Sequence, residues 1–572
     1  MEAVPDSRAD DRRKLVTGLH WASLAAAFGF LLWANRNQWF DSDEWNFLVR
    51  RRLVGSAEFE GVWAPHNKHW VTLPVLVYRL LFNVFGVRTY FPYIVLLLVL
   101  SLAVAHLLWR LLLSFGVDGL LATAAAGVFA FVGAGWENVT NGFQITLVAP
   151  LALGLGAVLL VRGHDLTGKR YAVVWALLLA AVMCSGVGVT MVAVVVVIVL
   201  LEHGLKAAVV TGSVPFVAYL LWYGLEGRSA PAAAGEQGLW PALQATPAYL
   251  WRGLTSAVDV ETGLEGAGAV LLVLLVVWAL RHADLSDRSW RDATVLALGA
   301  VLSMCLTALT RSGLGTDNAA ASRYAYITLA LLLPLAVLAV DRLLGTGLTR
   351  WLAMGLGLGL LLLVSVSVVA HNADAAGIRE QEQEHRVLAT AQLTRGNQEF
   401  LETIPVPVYM PDLDVDAIRQ LRVDGKLPTD VAVTPEDVLT ARAFLQLDVG
   451  GPATGTSSLP SGVATVSGTT GATATPDATR PGCIRVEPDS DTPTVALQFD
   501  TPGTATIRTE RGGDVVARLV DPSTGAVGRP RGFPVPSDRA QRVLLSHGGL
   551  VVRLDLPALG ATEVCGVAAV AG

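Results

Sequence analysis

The chain of 572 residues is 53% hydrophobic and only 16% charged, with a mean hydropathy of +0.51. A soluble chain of this size carries about a quarter charged residues, so a single large water-soluble domain is excluded. The net charge of −6 gives no basic surface overall, which argues against nucleic acid as a partner.

The apolar excess is confined to residues 15–371. Eleven runs read as transmembrane helices, at 15–34, 88–109, 119–135, 143–161, 171–185, 187–201, 206–223, 262–280, 293–310, 323–341 and 351–371. Arg8, Arg12, Arg13 and Lys14 precede the first run. Arg110, Arg162, Lys169, Arg170, Lys206, Arg281, Arg288, Arg291, Arg342 and Arg350 fall on the same side when the runs alternate. The positive-inside bias therefore puts residues 1–14 in the cytoplasm and residues 372–572 outside it, in a multi-pass plasma-membrane protein. The first run has no small-residue cleavage site and reads as an uncleaved span.

Cys184 and Cys305 sit in apolar runs and read as inert packing residues. Cys483 and Cys565 bracket a strand-rich segment of the external tail, where a disulfide persists, and are expected to be bonded. Residues 372–450 are polar and partly helical, with a helix expected from Ile378 to Phe400. Residues 451–481 read as a Gly/Ser/Thr/Pro linker. Residues 482–572 read as a small β-sandwich, with strands expected at Thr494–Phe499, Thr504–Thr509, Val515–Val520, Val543–Ser546 and Leu550–Leu556. Carbohydrate binding and plain spacing are both open roles for it.

Three external loops carry more polar chemistry than a loop requires. The first, residues 35–87, holds Asp41, Asp43 and Glu44, then Arg50–Arg52, then His66, Asn67, Lys68, His69 and Trp70. So many cations outside the cytoplasm point to an anionic partner. The alternative is that Arg50–Arg52 pair with Asp41, Asp43, Glu44, Glu58 and Glu60. Residues 71–86 are amphipathic and suit the membrane interface. The second loop carries Glu137, Asn138, Asn141 and Gln144, which suit sugar hydroxyls but also suit helix capping. The third places Arg311 and Arg323 at the ends of adjacent spans. Guanidinium groups there suit either bidentate phosphate contact or interfacial anchoring. The sequence has no P-loop, His-Glu-x-x-His, Cys-x-x-Cys or nucleophile elbow, which argues against ATP-driven transport.

The acidic pair Asp43-Glu44 just after the first run, Pro65 to Trp70 some twenty residues on, and Val84-Phe85-Gly86 with Arg88 together resemble the GT-C superfamily of integral membrane glycosyltransferases. The likeness is to its protein mannosyltransferases and aminoarabinose transferases. It covers residues 15–371 and is most specific over 35–90; the Pro-Pro that follows the family's histidine is missing after His66. The resemblance implies a GT-C-like fold of about eleven transmembrane helices, here followed by an extracytoplasmic α+β region. It also implies transfer of a sugar from a polyprenyl-phosphate donor to an external glycan, lipid or protein acceptor. In that reading Asp43 is the general base, and Asp41 or Glu44 orients it or the acceptor. Arg311 and Arg323 face the donor phosphate, with His66, Lys68, His69, Glu137 and Gln144 as further substrate contacts. A single displacement inverts the anomeric centre. No cofactor is assigned, although Asp41 and Asp43 could hold a divalent cation. The competing classes are a transporter or flippase of a lipid-linked saccharide and an envelope assembly protein acting through its tail. Deletion of 450–572 is the expected discriminator for the second.

Overall fold

The computed structural model describes residues 7–51, 61–230, 235–282, 284, 286–343, 348–396, 398–452 and 462–568. By its internal contacts the chain divides into two compact units. The first comprises Met1–Phe40, Ala57–Phe85 and Thr89–Glu380; the second comprises Asp41–Ser56, Gly86–Arg88 and Gln381–Gly572.

The first unit is helical because its Leu, Val and Ala runs leave the backbone as its own hydrogen-bond partner. Among the described residues, seven helices are long and apolar enough to cross a membrane, or eight if one bent pair is a single span. The protein is therefore read as membrane-embedded. Helices Ser7–Ala34, Phe91–Ser114, Arg288–Arg311 and Ser322–Leu343 match expected runs.

Other runs fold differently from expectation. The 119–135 run is a helix only over Gly119–Ala130, twelve residues, and 171–185 becomes Gly168–Val182, fifteen residues. Gly133 and Gly135 break the former where neighbours press close: a Cβ would come within 2.7 Å of Ser365 and 2.8 Å of Tyr326. The runs 187–201 and 206–223 form one helical stretch, Gly186–Leu225, of 40 residues. A straight helix of that length would reach about 60 Å, roughly twice the hydrocarbon thickness. Gly204, at φ 82 and ψ 177, interrupts it. A Cβ on Gly212 would lie 3.0 Å from Val196, so the two halves pack side by side. The last run continues without a break as Leu348–Leu393 and absorbs most of the helix expected at 378–400. Helix Leu239–Thr262 was not expected, and it meets Ala267–His282 at a bend of 112°.

Charge collects at one end of this bundle. Arg162 donates to Asp292 at 2.8 Å, to Ser289 at 3.0 Å and to the Ser114 carbonyl at 2.7 Å. Arg288 pairs with Glu202 at 2.7 Å and Arg342 with Asp287 at 2.6 Å. Cys184 is buried and Cys305 half-buried, both as free thiols.

The second unit joins short helices to a β region. One six-stranded sheet runs, in spatial order, Leu447–Pro452, Gln541–Leu545, Gly503–Thr509, Thr562–Cys565, Cys483–Pro488 and Ala472–Pro476. The other runs Val567–Ala568, Ala464–Thr470, Thr494–Phe499, Leu550–Asp555, Gly513–Val520 and Arg531–Val535. Alternate residues such as Val495, Leu497, Phe499, Ile484, Val486 and Ile507 face a shared apolar core, the arrangement of a sandwich. Cys483 is bonded to Cys565, and the two are direct partners across adjacent strands. The linker expected over 451–481 is corrected: strands 464–470 and 472–476 lie within it, and 453–461 fall outside the described residues.

Helix Pro435–Leu445 ties the parts of this unit together. Its Leu439 and Ala443 enter the sandwich core, while Ala441 and Leu445 pack with Ala389, Leu393 and Val415. Deleting 450–572 therefore strips one face of that helix, so it cannot cleanly isolate the role of the β region. Such a truncation should make residues 398–446 protease-sensitive, read by limited proteolysis with mass spectrometry. Replacing Cys483 and Cys565 by serine opens a loop spanning 82 positions. It should cost the β region about 4 kcal/mol in denaturant unfolding, by the chain-entropy estimate, without shifting the first unit.

Candidate functional site

The expected site residues fall into both units. Asp41, Asp43 and Glu44 belong to the second. His66, Lys68, His69, Glu137, Gln144, Arg311 and Arg323 belong to the first.

In the second unit the acidic segment is held in an unusual backbone. Ser42 has φ 42 and ψ −112, outside the regions that L-residues favour. Such a conformation costs about 1–3 kcal/mol and persists only where surroundings impose it. Asp43–Trp45 then form one helical turn, and Asn46–Arg50 follow as a π-turn, a feature that recurs at functional sites. Glu44 is fully buried, and its Oε2 accepts the Asp41 N–H at 3.0 Å. Asp43 is exposed at the start of the turn.

Arg50 pairs with Asp412, far along the chain. Arg51 is buried beside the Phe47 ring at 5.8 Å, and burial holds its guanidinium down at about 10. Arg52, Glu58 and Glu60 fall outside the described residues. The Phe-Gly end of the amphipathic helix Thr72–Phe85 has a reason too. Gly86 has φ 62, and a Cβ there would lie 2.9 Å from the Lys426 carbonyl oxygen. The Val87 N–H donates to that same carbonyl at 3.0 Å.

In the first unit His66 and His69 exchange backbone hydrogen bonds of 3.0 and 2.8 Å around a two-residue turn. Its central residues, Asn67 at φ 46 and Lys68 at φ 67, are both left-handed, a geometry that asparagine tolerates better than lysine. The Lys68 ammonium is paired with Glu236. Tryptophans fix the loop: Trp222 donates to the Trp63 carbonyl at 2.9 Å and stacks on Trp70 at 5.4 Å. His66 lies 5.3 Å from the Phe143 ring, and His69 rests against Gly186, where a Cβ would meet it at 3.1 Å.

Arg311 acts electrostatically on both His69 and Tyr249, and Arg323 and Tyr324 also act on Tyr249. Tyr249 is buried, and its hydroxyl donates to Asn318 at 3.2 Å. Arg323 pairs with Glu137 at 3.4 Å and lies 5.1 Å from the Tyr324 ring. The Glu137 N–H donates to Ser322 Oγ at 3.0 Å. The fold therefore gathers His66, His69, Arg311, Arg323 and Glu137 around shared neighbours. Guanidinium groups of this kind suit bidentate contact with an anion. Gln144 is buried close by in sequence, and Asn138 is wholly buried.

Tyr249, Asn318, Glu236 and Asp412 were not anticipated from sequence. Tyr249 sits in the unexpected helix 239–262, where Pro241, Pro247, Arg252, Asp259 and Glu261 mask the helical pattern. Among the described residues the one grouping of three metal-ligating side chains is Cys483, Glu563 and Cys565, whose thiols are consumed by the disulfide. The chain matches no protein-family model, no curated protein and no solved structure.

Burial, with Arg311 and then His66 adding to it, pushes His69 down to about 4. An unfolded histidine titrates near 6.5. The stability from neutral His69 is thus full above about 6.5 and is lost as pH falls toward 4, because the unfolded chain binds the extra proton there. The protein in mild detergent should show this as a falling thermal midpoint across that window. The His69→Gln variant should flatten the fall, and an unchanged slope would count against burial of the neutral ring.

Proposed function

We propose that the protein is a membrane glycosyltransferase of the GT-C kind, moving a sugar from a polyprenyl-phosphate donor to an acceptor outside the cytoplasm. The observation that carries this reading is the acidic segment. An exposed Asp43 is presented on a strained, π-turn backbone beside a buried, hydrogen-bonded Glu44. In this reading Asp43 takes the proton of the attacking acceptor hydroxyl as the glycosidic bond to phosphate breaks, inverting the anomeric centre. Glu44, holding the Asp41 N–H, fixes the segment's shape. The leaving polyprenyl phosphate gains negative charge, and Arg311 and Arg323 are the groups to offset it. His69, neutral at physiological pH, serves by hydrogen bonding rather than by charge.

The eleven-span topology, with cytoplasmic N-terminus and external tail, belongs to the same proposal. It is supported by the helical break at Gly204 and by the ion-paired arginines at Arg162, Arg288 and Arg342, all on the side assigned to the cytoplasm. One feature favours the second reading, translocation of a lipid-linked saccharide. An apolar cavity of about 720 Å³ in the first unit has Glu261, among the described residues, as its one carboxylate.

The test is a reconstituted assay with a panel of radiolabelled polyprenyl-phosphate hexoses and pentoses. Asp43→Asn should lower turnover by roughly 10²-fold or more while donor binding persists. Arg323→Ala should weaken donor binding and turnover together, and Arg323→Lys should recover only part of the loss, since ammonium lacks the planar fork. Donor crossing the vesicle bilayer without sugar transfer would favour translocation. Near-normal transfer by Asp43→Asn would remove the first-loop assignment and make Glu137 the next base to test.

A further inference from the structure

Two segments marked by sequence, Asp41–Glu44 and Phe85–Arg88, find partners in one short stretch of the tail. The Ser42 N–H donates to the Tyr409 carbonyl at 2.9 Å, so the residue with left-handed φ is tied down from outside its own turn. The Asp412 carboxylate accepts the Asn46 amide N–H at 3.1 Å and pairs with the Arg50 guanidinium. Asn46 and Arg50 are the first and last residues of the π-turn. One carboxylate therefore staples both ends of the element that follows Asp43. Val87 and Gly86 are met by Lys426 in the same way.

The stretch that makes these contacts is itself well anchored. Met410 and Leu413, flanking Asp412, are both fully buried. The Met410 N–H donates to the Val406 carbonyl at 2.8 Å, and the Leu413 N–H to the Met410 carbonyl at 3.1 Å. Asp414 then caps helix Val415–Val423 through the Ala417 N–H at 2.7 Å. The Asp412 side chain is only 10% exposed, whereas Arg50 is 68% exposed. A nearly buried acid with its cation at the surface suits a fixed anchor better than a solvent-facing ion pair.

We propose that Asp412 is a positioning residue for the reaction, setting the orientation of Asp43 by clamping the 46–50 turn. This rests on the glycosyl-transfer reading of Asp43. The external region is then a part of the catalytic apparatus rather than a spacer, because it supplies the clamp.

The experiment uses the full chain in lipid nanodiscs, with two readouts: backbone hydrogen exchange, and turnover of whichever polyprenyl-phosphate sugar the unaltered protein uses best. Asp412→Ala should raise exchange over 42–51 but not over 483–565, and should lower kcat about tenfold with KM for the donor within about twofold. Asp412→Asn keeps an acceptor for Asn46 without the charge and should fall between. Arg50→Ala, a change at an exposed position that leaves the fold's core untouched, should reproduce the Asn result. The proposal is overturned if exchange over 42–51 is unchanged in both Asp412→Ala and Arg50→Ala, if it rises equally across 398–446, or if it rises while kcat is kept. Retained transfer in Asp43→Asn alongside a loosened 42–51 in Asp412→Ala would remove Asp43 as the base and leave the clamp as a structural contact only.

Discussion

Hydrocarbon offers no hydrogen-bond partner, so each polar group of the first unit must be satisfied within the protein or carried to a helix end. The fold follows from that constraint. Arg162 spends its guanidinium on Asp292, Ser289 and a backbone carbonyl, and Arg323 on Glu137. What chemistry this unit has therefore gathers where helices stop, at the 61–71 loop, the 137–144 turn and the 311–323 connection. Aromatic rings such as Trp70 and Trp222 hold those connections in place, since packing can do there what hydrogen bonding to lipid cannot.

The second unit folds under a different condition, around a β core of its own closed by a disulfide. The acidic segment belongs to this unit and keeps a backbone that it would not adopt alone. Ser42 and the π-turn are local departures from favourable geometry, and long-range bonds to Tyr409 and Asp412 maintain them. Local strain held by distant contacts is a pattern expected where geometry serves function.

These two conditions also explain what was legible in the sequence. Strands at 494–499, 503–509 and 550–555 announce themselves by alternation, and the Cys483–Cys565 bond by two cysteines that bracket a strand-rich segment. Most apolar helices declare themselves by length. The helix 239–262 does not, because its prolines and charges are tolerated only in a packed setting. The threonine-rich 464–476 strands read as linker because small residues facing solvent leave no apolar signal. At the candidate site, Asp43 and the two arginines could be picked out by residue type and place. Asp412 could not, since a partner 366 positions from Asn46 has no pattern to betray it.

The strand order of the sandwich bears on how the chain is made. Thr562–Cys565 is the latest strand of its sheet in the chain, yet it lies between Gly503–Thr509 and Cys483–Pro488. Until that strand leaves the ribosome, both neighbours present an open edge and the cysteine at 483 has no mate. The sheet cannot assemble stepwise behind the emerging chain. It must wait, half-built and adhesive, for its middle to arrive, which makes the interval just after synthesis the time when a chaperone or a thiol oxidase would matter most to this protein.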